Sequence, residues 1–490
     1  MRSQITRHLA SLFATAGPEP FKTKLRLLAD AGAESKQPML PREFSWHDYA
    51  VYLLHIAAEI EHSLMVQYLY AAYSIGGPEV PADKQEQVLG WQQTILGIAK
   101  EEMGHFLTVQ NILRLIGGAL NLDRQDFPWD IPFYPYEFAL EPLSRTSLAK
   151  YIFAEAPDDW PPDLTADERK EIEAAVHMTP QQMPHRVAEL YELMIDLLSD
   201  SDALPDSVFR EETFPFQASW DEWGRGYNGV QLGSNPRNPS PNVIVQRLSG
   251  RTDAVSALTQ IARQGEAPEN DPTAQALSHF RRFLSIFREF PQGDAKWVPT
   301  WKVPTNPQAP GVANSDAGPV IEHPESSLWS TLFNVRYRML LAYLAHSFRI
   351  SSEPMEMGAS NPRSLIINST FVEMYQLRSI AGILVSLPLK DDRETNVQGK
   401  DQSERAGPPF QIPYAVNLPS EQADCWRVHI DLLDASDGLL KGLTNSAFKH
   451  SDYAIVLRSA NQERRRQFET LLTSASVQPS LEPHRRSIAV

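Results

Sequence analysis

Two long helical segments joined by a tight turn, the second carrying Glu102-Met103-Gly104-His105, constrain this chain more than any other feature. From 46 to 75, apolar residues recur at helical spacing: Tyr49, Leu53, Ile56, Ile60, Leu64 and Tyr68. Gly76-Gly77-Pro78 stops that run, and a second runs from 83 to 116 until Gly117-Gly118. Two helices of about 30 residues with so short a connection pack as an antiparallel pair. Glu102 and His105 are three residues apart, just under one turn, and so project from one face. A Glu-x-x-His on the inward face of a helix bundle is half the ligand set of a dinuclear carboxylate metal site.

Such a site draws about four carboxylates and two imidazoles from four helices, and the sequence offers candidates for each. On the first helix, Glu59 or Glu61 could reach the centre. Glu61 is preferred because it shares its face with Leu64, Met65 and Tyr68, where a carboxylate is costly unless paired or metal-bound. His62 is a candidate for supporting contacts behind the ligands. Glu102 and His105 stand among Ile98, Phe106 and Val109, whereas Glu101 is expected to point elsewhere. A third helix, 185–198, offers Glu189 or Glu192. The fourth is interrupted: Gln264-Gly265-Glu266 closes one segment, and His279 lies in the next beside Phe280, Phe283 and Phe287. The position three before His279 is Ala276. Either Glu266 supplies the carboxylate across the break or the site is one ligand short. Tyr68 is the candidate catalytic residue, as a hydrogen-bond or electron donor beside the ligands.

Composition narrows the chemistry. The only cysteine is Cys425, so thiolate metal sites and an internal disulfide are excluded. Ligands must then be His, Asp and Glu, which suits iron or manganese. A formal net charge of −16, without a long basic run, argues against nucleic acid or an anionic membrane as partner. No apolar run approaches the ~18 residues of a membrane span, and the N-terminus lacks the pattern of a signal peptide, so a cytoplasmic protein is expected.

Further helices are expected at 4–15, 21–31, 144–156, 252–266, 273–290, 328–349, 365–387, 419–443 and 461–474. Strand signals are confined to short runs such as 243–245 and 454–457. Residues 209–241, with Trp220, Trp223 and Tyr227, read as a long loop that either lines a pocket or anchors against the bundle. His346 and His429 read as ordinary helix histidines. The organisation expected is an extension over 1–45, a metal-type bundle over 46–290, a Pro-rich linker over 291–325 and a C-terminal helical region over 326–490.

Several stretches resemble a known family. His55-Ile56-Ala57-Ala58-Glu59-Ile60-Glu61-His62, Met65-Val66-Gln67-Tyr68-Leu69-Tyr70, Glu101-Glu102-Met103-Gly104-His105-Phe106 and Asn121-Leu122-Asp123-Arg124 are similar to the ferritin-like domain of iminophenyl-pyruvate dimer synthases. Gln264-Gly265-Glu266 and Gly407-Pro408-Pro409-Phe410 fit the same resemblance. The match is dense over 46–128 and recurs to about 440. That domain occurs in the large synthases of the violacein and rebeccamycin pathways and in stand-alone proteins.

The resemblance implies a mostly α protein: a ferritin-like four-helix bundle with long loop insertions and an added C-terminal helical layer. It also implies metal-dependent oxidative chemistry with O2 or peroxide on a small amine- or amino-acid-derived metabolite, extending to oxidative imine coupling. Two iron ions, or manganese, would be the cofactors. A homo-oligomer or a pathway-enzyme partner is expected, because the chain is about half the size of those synthases and the rest is absent or supplied by another protein. The alternative is a non-catalytic iron-handling protein, against which the long loops argue.

Overall fold

The computed structural model describes residues 44–124, 136–157, 159–176, 186–225, 241–265, 278–292, 297–311, 318–353, 361–391, 403–412 and 416–475. The expected helices at 4–15 and 21–31, and also Tyr227, Glu266 and Ala276, lie outside them. The described residues form helices and irregular segments with three isolated bridges and no strand.

α1 (Trp46–Ser74) and α2 (Gln85–Leu115) are the expected antiparallel pair. Ser45 begins α1 with a capping box: its hydroxyl accepts from Asp48 N at 3.1 Å and its own N–H donates to the Asp48 carboxylate at 2.9 Å. α1 is buried on almost every side, with Leu53, Leu54, Ile60 and Leu64 each at most 1% exposed. A helix buried all round sits at the centre of a bundle rather than on its surface. Each such leucine contributes roughly 1.5–3 kcal/mol by leaving water. Gly117 ends α2 at φ 75°, a left-handed conformation that favours glycine.

The other half of the bundle is built from broken helices. α3 (Arg145–Ala154), α4 (Ala166–Ala175) and α5 (Val187–Ser199) precede a short α6 (Trp220–Trp223). α7 (Arg251–Gly265) and α8 (His279–Glu289) follow. α5 packs on α1 and α7, while α8 packs on α3 and α2. α4 buries only Ile172, so no apolar stripe marks it in the sequence, although Thr165-x-x-Glu168 is a capping box and forms one here.

Between α6 and α7 an extended strap, residues 241–248, crosses the face of α2. Thr108 Oγ1 donates to Ile244 O at 3.0 Å, and Asn111 Nδ2 donates to Gln246 O at 2.8 Å. Val243 and Val245 are buried in this strap without strand pairing, because α2 has no free backbone groups to pair with.

The C-terminal layer is α9 (Pro324–Ser347), α10 (Pro362–Leu384), α11 (Gln422–Leu443) and α12 (Ser451–Ala475). Residues 454–457, read as a strand signal, lie in the first turns of α12, which starts earlier than expected. α9 contacts the bundle directly: the Tyr337 hydroxyl lies 2.5 Å from His62 Nε2. The Pro-rich stretch is extended and bonded to the bundle, with Trp301 N donating to Ser74 O and Asn306 N to Leu140 O.

Candidate metal centre

Five ionisable side chains from four helices meet in the bundle interior, none more than 6% exposed: Glu61 of α1, Glu102 and His105 of α2, Glu155 just after α3, and His279 opening α8. They form two groups of ligand atoms, Glu61/Glu102/His105 and Glu102/Glu155/His279, each within 4.8 Å of one another. Glu102 belongs to both. Its Oε2 lies 3.0 Å from His105 Nδ1 and its Oε1 lies 2.8 Å from His279 Nδ1. His105 Nδ1 also lies 3.4 Å from Glu61 Oε2, and His279 Nδ1 lies 3.5 Å from Glu155 Oε2.

Each imidazole is anchored through its far nitrogen. His105 Nε2 is 2.8 Å from Gln264 Oε1, and His279 Nε2 is 3.0 Å from Glu101 Oε2. Glu101 also binds the Arg282 guanidinium and accepts from Asn242 N at 2.7 Å. Each outer carboxylate is held by a buried phenol. Tyr68 donates to Glu155 Oε1 at 2.6 Å, and Tyr191 donates to Glu61 Oε1.

Gly104, between the two motif residues, is where the strap crosses α2. A Cβ there would meet Ile244 O at 2.9 Å and Ile244 N at 3.0 Å. The motif therefore needs a residue without a side chain at that position.

Charge balance follows from burial. Burial raises Glu61, and the Glu102 charge adds to it; against the pull of His105, its pKa settles at about 7. Burial would lower His105, but Glu102 and Glu61 outweigh that and bring it to about 10. Burial also works against His279, yet Glu102 and Glu155 hold it well above the usual range. Glu101 is pushed up by burial but falls to about 2 beside Arg282 and His279. Burial, then the Glu155 charge, raises Tyr68, and burial with Glu61 does the same to Tyr191. Imidazolium charges balance the buried carboxylates here, a role that bound cations can also fill.

The residues fit a metal pair. Glu61 Oε2, Glu102 Oε1 and His279 Nδ1 are buried and make no hydrogen bond of good geometry, a cost that coordination removes. All donors are oxygen or imidazole nitrogen, which suits iron or manganese. A small cavity of about 20 Å3 reaches Glu61, Glu102, His105 and Glu155 between walls that include Leu64, Val187, Ile261 and Gly265.

The structure thus brings together Glu61, Glu102, His105 and His279, with Tyr68 behind Glu155. It does not bring Glu189 to the cluster. The inward face of α5 carries Ala188, Tyr191 and Met194; around the helix, Glu192 lies about 100° and Glu189 about 160° from Tyr191 at its middle. Glu155 stands there instead. Its signal in the sequence is a carboxylate continuing the Leu148, Tyr151, Ile152 stripe at helical spacing. Glu59 binds Asn121 Nδ2 at 3.1 Å, and His62 faces Tyr337. Glu101, expected to point elsewhere, is the residue behind His279. Trp223 is buried 5.5 Å from the Phe371 ring, anchoring its loop on α10.

A helical bundle with this donor set is of the ferritin-like class. Residues 54–288, just under half of the chain, match the family model described as Ferritin-like. The chain is 26% identical over 393 residues to dichlorochromopyrrolate synthase of Lentzea aerocolonigenes, covering 72% of this chain and 35% of that protein. It is 25% identical over 393 residues to 2-imino-3-(indol-3-yl)propanoate dimerase of Chromobacterium violaceum, covering 74% and 33%. Both are synthases of the type its residue pattern resembles. The chain spans about a third of the length of these curated relatives. The crystal structure of a ferritin-like protein from Caulobacter vibrioides is similar with a TM-score of 0.40 and 19% identity, covering 68% of this chain and 92% of that one. Among the described residues no helix is long and apolar enough to cross a membrane.

Proposed function

We propose that this chain is a metal-dependent oxidoreductase with a dinuclear centre, two iron ions or their manganese counterparts, acting with O2 or peroxide on a small amine- or amino-acid-derived metabolite. The observation that carries this reading is Glu102, one buried carboxylate within 2.8 Å of one imidazole nitrogen and 3.0 Å of another. Glu61, Glu102, His105, Glu155 and His279 would hold the ions, Glu102 belonging to both ligand groups. Bound there, such ions supply electron transfer and Lewis acidity toward the oxidant.

The protein's own part is positional. Gln264 and Glu101 fix the two imidazole rings, and Tyr191 and Tyr68 fix the outer carboxylates. Tyr68 is also the hydrogen-bond or electron donor nearest Glu155. Leu64, Val187 and Ile261 give the cavity apolar walls that limit water.

The relatives' names make an aryl imino acid the first substrate class to test. Joining two such molecules through a new carbon–carbon bond releases two electrons and two protons. One peroxide takes up both in becoming two waters.

The test is metal analysis of the purified full chain after loading with Fe2+ or Mn2+, followed by oxidant consumption with 2-imino-3-(indol-3-yl)propanoate generated in place. About two ions per chain are expected, with loss of both in the isosteric variant Glu102→Gln. A folded chain that retains no ion refutes the reading.

A further inference from the structure

The two halves of the centre are matched in their inner parts among the described residues. Each has one outer carboxylate held by a tyrosine hydroxyl, one imidazole presenting Nδ1, and one oxygen of Glu102. They differ in what stands behind the imidazole. His279 Nε2 faces the carboxylate of Glu101, whereas His105 Nε2 faces the neutral amide of Gln264. The orientation of that amide is fixed, because Gln264 Nε2 donates to Asn242 O at 2.8 Å and so turns Oε1 toward His105. Asn242 also donates its backbone N–H to Glu101. One residue of the strap therefore anchors both supports.

A carboxylate accepting the Nε2 proton raises electron density on Nδ1 more than a neutral amide does, which strengthens the imidazole as a ligand. Arg282 sits on the same Glu101 oxygen and compensates its charge at long range. The direct bond from His279 to that oxygen remains. Access differs at the imidazoles: the cavity reaches Glu61, Glu155 and Glu102 alike and also His105, whereas His279 is 0% exposed and is not among the described residues on its wall.

We infer that the two half-sites are unequal by construction. The His279 half, backed by Glu101, binds its cation first and more tightly; the His105 half, backed by Gln264, fills second and faces the cavity. The inference rests on the dinuclear reading given above. It makes Glu101 a positioning residue and assigns the cavity-facing, more weakly held ion to contact with oxidant and substrate.

The experiment is anaerobic titration of the metal-free full chain with Mn2+, read by calorimetry and by the electron paramagnetic resonance of free Mn2+. Two events are expected, separated by about 10-fold or more in affinity. Glu101→Gln should weaken the tighter event by about 10–100-fold and leave the weaker one in place. Gln264→Glu, at a half-buried position, should tighten the weaker event and leave the stronger. Circular dichroism melts of the metal-free variants check folding; if Glu101→Gln does not fold, Gln264→Glu alone decides. Two equal sites in the wild type overturn the inference while leaving the dinuclear reading intact. So does a Glu101→Gln effect shared equally by both sites, or a Gln264→Glu variant with unchanged affinities. A folded wild-type chain that binds no Mn2+ overturns both.

Discussion

Replacing Gly104 by alanine separates two opposing effects whose sizes can be worked from the structure. Alanine is favoured over glycine in a helix interior by about 0.8–1.0 kcal/mol. At Gly104 the added Cβ would lie 2.9 Å from Ile244 O, 3.0 Å from Ile244 N and 3.2 Å from Val243 Cγ1. Ordinary contact begins near 3.4 Å, so the strap must retreat by about 0.5 Å. Overpacking of this kind costs roughly 1–3 kcal/mol. The retreat also strains the Thr108–Ile244 bond, worth about 0.5–1.5 kcal/mol. The net expectation is a loss of about 1–3 kcal/mol after the propensity gain.

Gly90, in the same helix, has nothing within 4 Å of the equivalent Cβ, so Gly90→Ala should gain about 0.5–1 kcal/mol. Urea unfolding of the wild type and both variants measures the difference. Gly104→Ala should also bind metal more weakly, because the displaced strap carries Asn242, which anchors Gln264 and Glu101. A Gly104→Ala protein as stable as the wild type would mean that the strap does not resist a side chain at this position.

Four further outcomes are expected. Glu155→Gln should lower the metal content from about two ions to about one, measured by elemental analysis of the loaded protein. Tyr68→Phe should slow turnover at unchanged metal content, whereas a drop in metal content would mean that Tyr68 serves only to hold Glu155. Loading with a metal at about 100 times its dissociation constant should stabilise the chain by about 2.7 kcal/mol, reversed by a chelator and read from thermal melts.

The fourth concerns His346 and His429, 2.9 Å apart between α9 and α11. Burial brings His346 down to about 4 and holds His429 well below its usual value. Since the unfolded chain takes up these protons near pH 6.5 and the folded chain resists them, stability is fully present above that pH. It falls as pH drops from about 6.5 toward 4, by roughly 3 kcal/mol for His346 alone. His429→Phe should remove the His429 share of that loss in urea midpoints compared at pH 7 and 5; an unchanged slope would exclude His429 as a source.

The long helices and the shared face of Glu102 and His105 were legible because they depend on local spacing. A 3.6-residue period marks α1 and α2, and it places Glu102 with His105 and Glu61 with Leu64 and Tyr68. The same rule, applied further, would have separated Glu189 from the buried face of α5 and included Glu155 with the stripe of α3. The short run at 454–457 misled because apolar residues over so few positions fit helix and strand alike.

By itself, then, the sequence determined a mostly helical chain with an antiparallel pair at its centre, an oxygen- and nitrogen-donor set without thiolate, and the Glu-x-x-His that organises it. Tertiary structure alone decided the rest. Glu155 joins His279, Glu101 backs one imidazole and Gln264 the other, and a strap more than a hundred residues away makes glycine necessary inside the motif. The physical reason is that helix periodicity is set by bonds four residues apart. The partners that orient and charge-balance a buried site are chosen by packing between segments, and no local pattern encodes that.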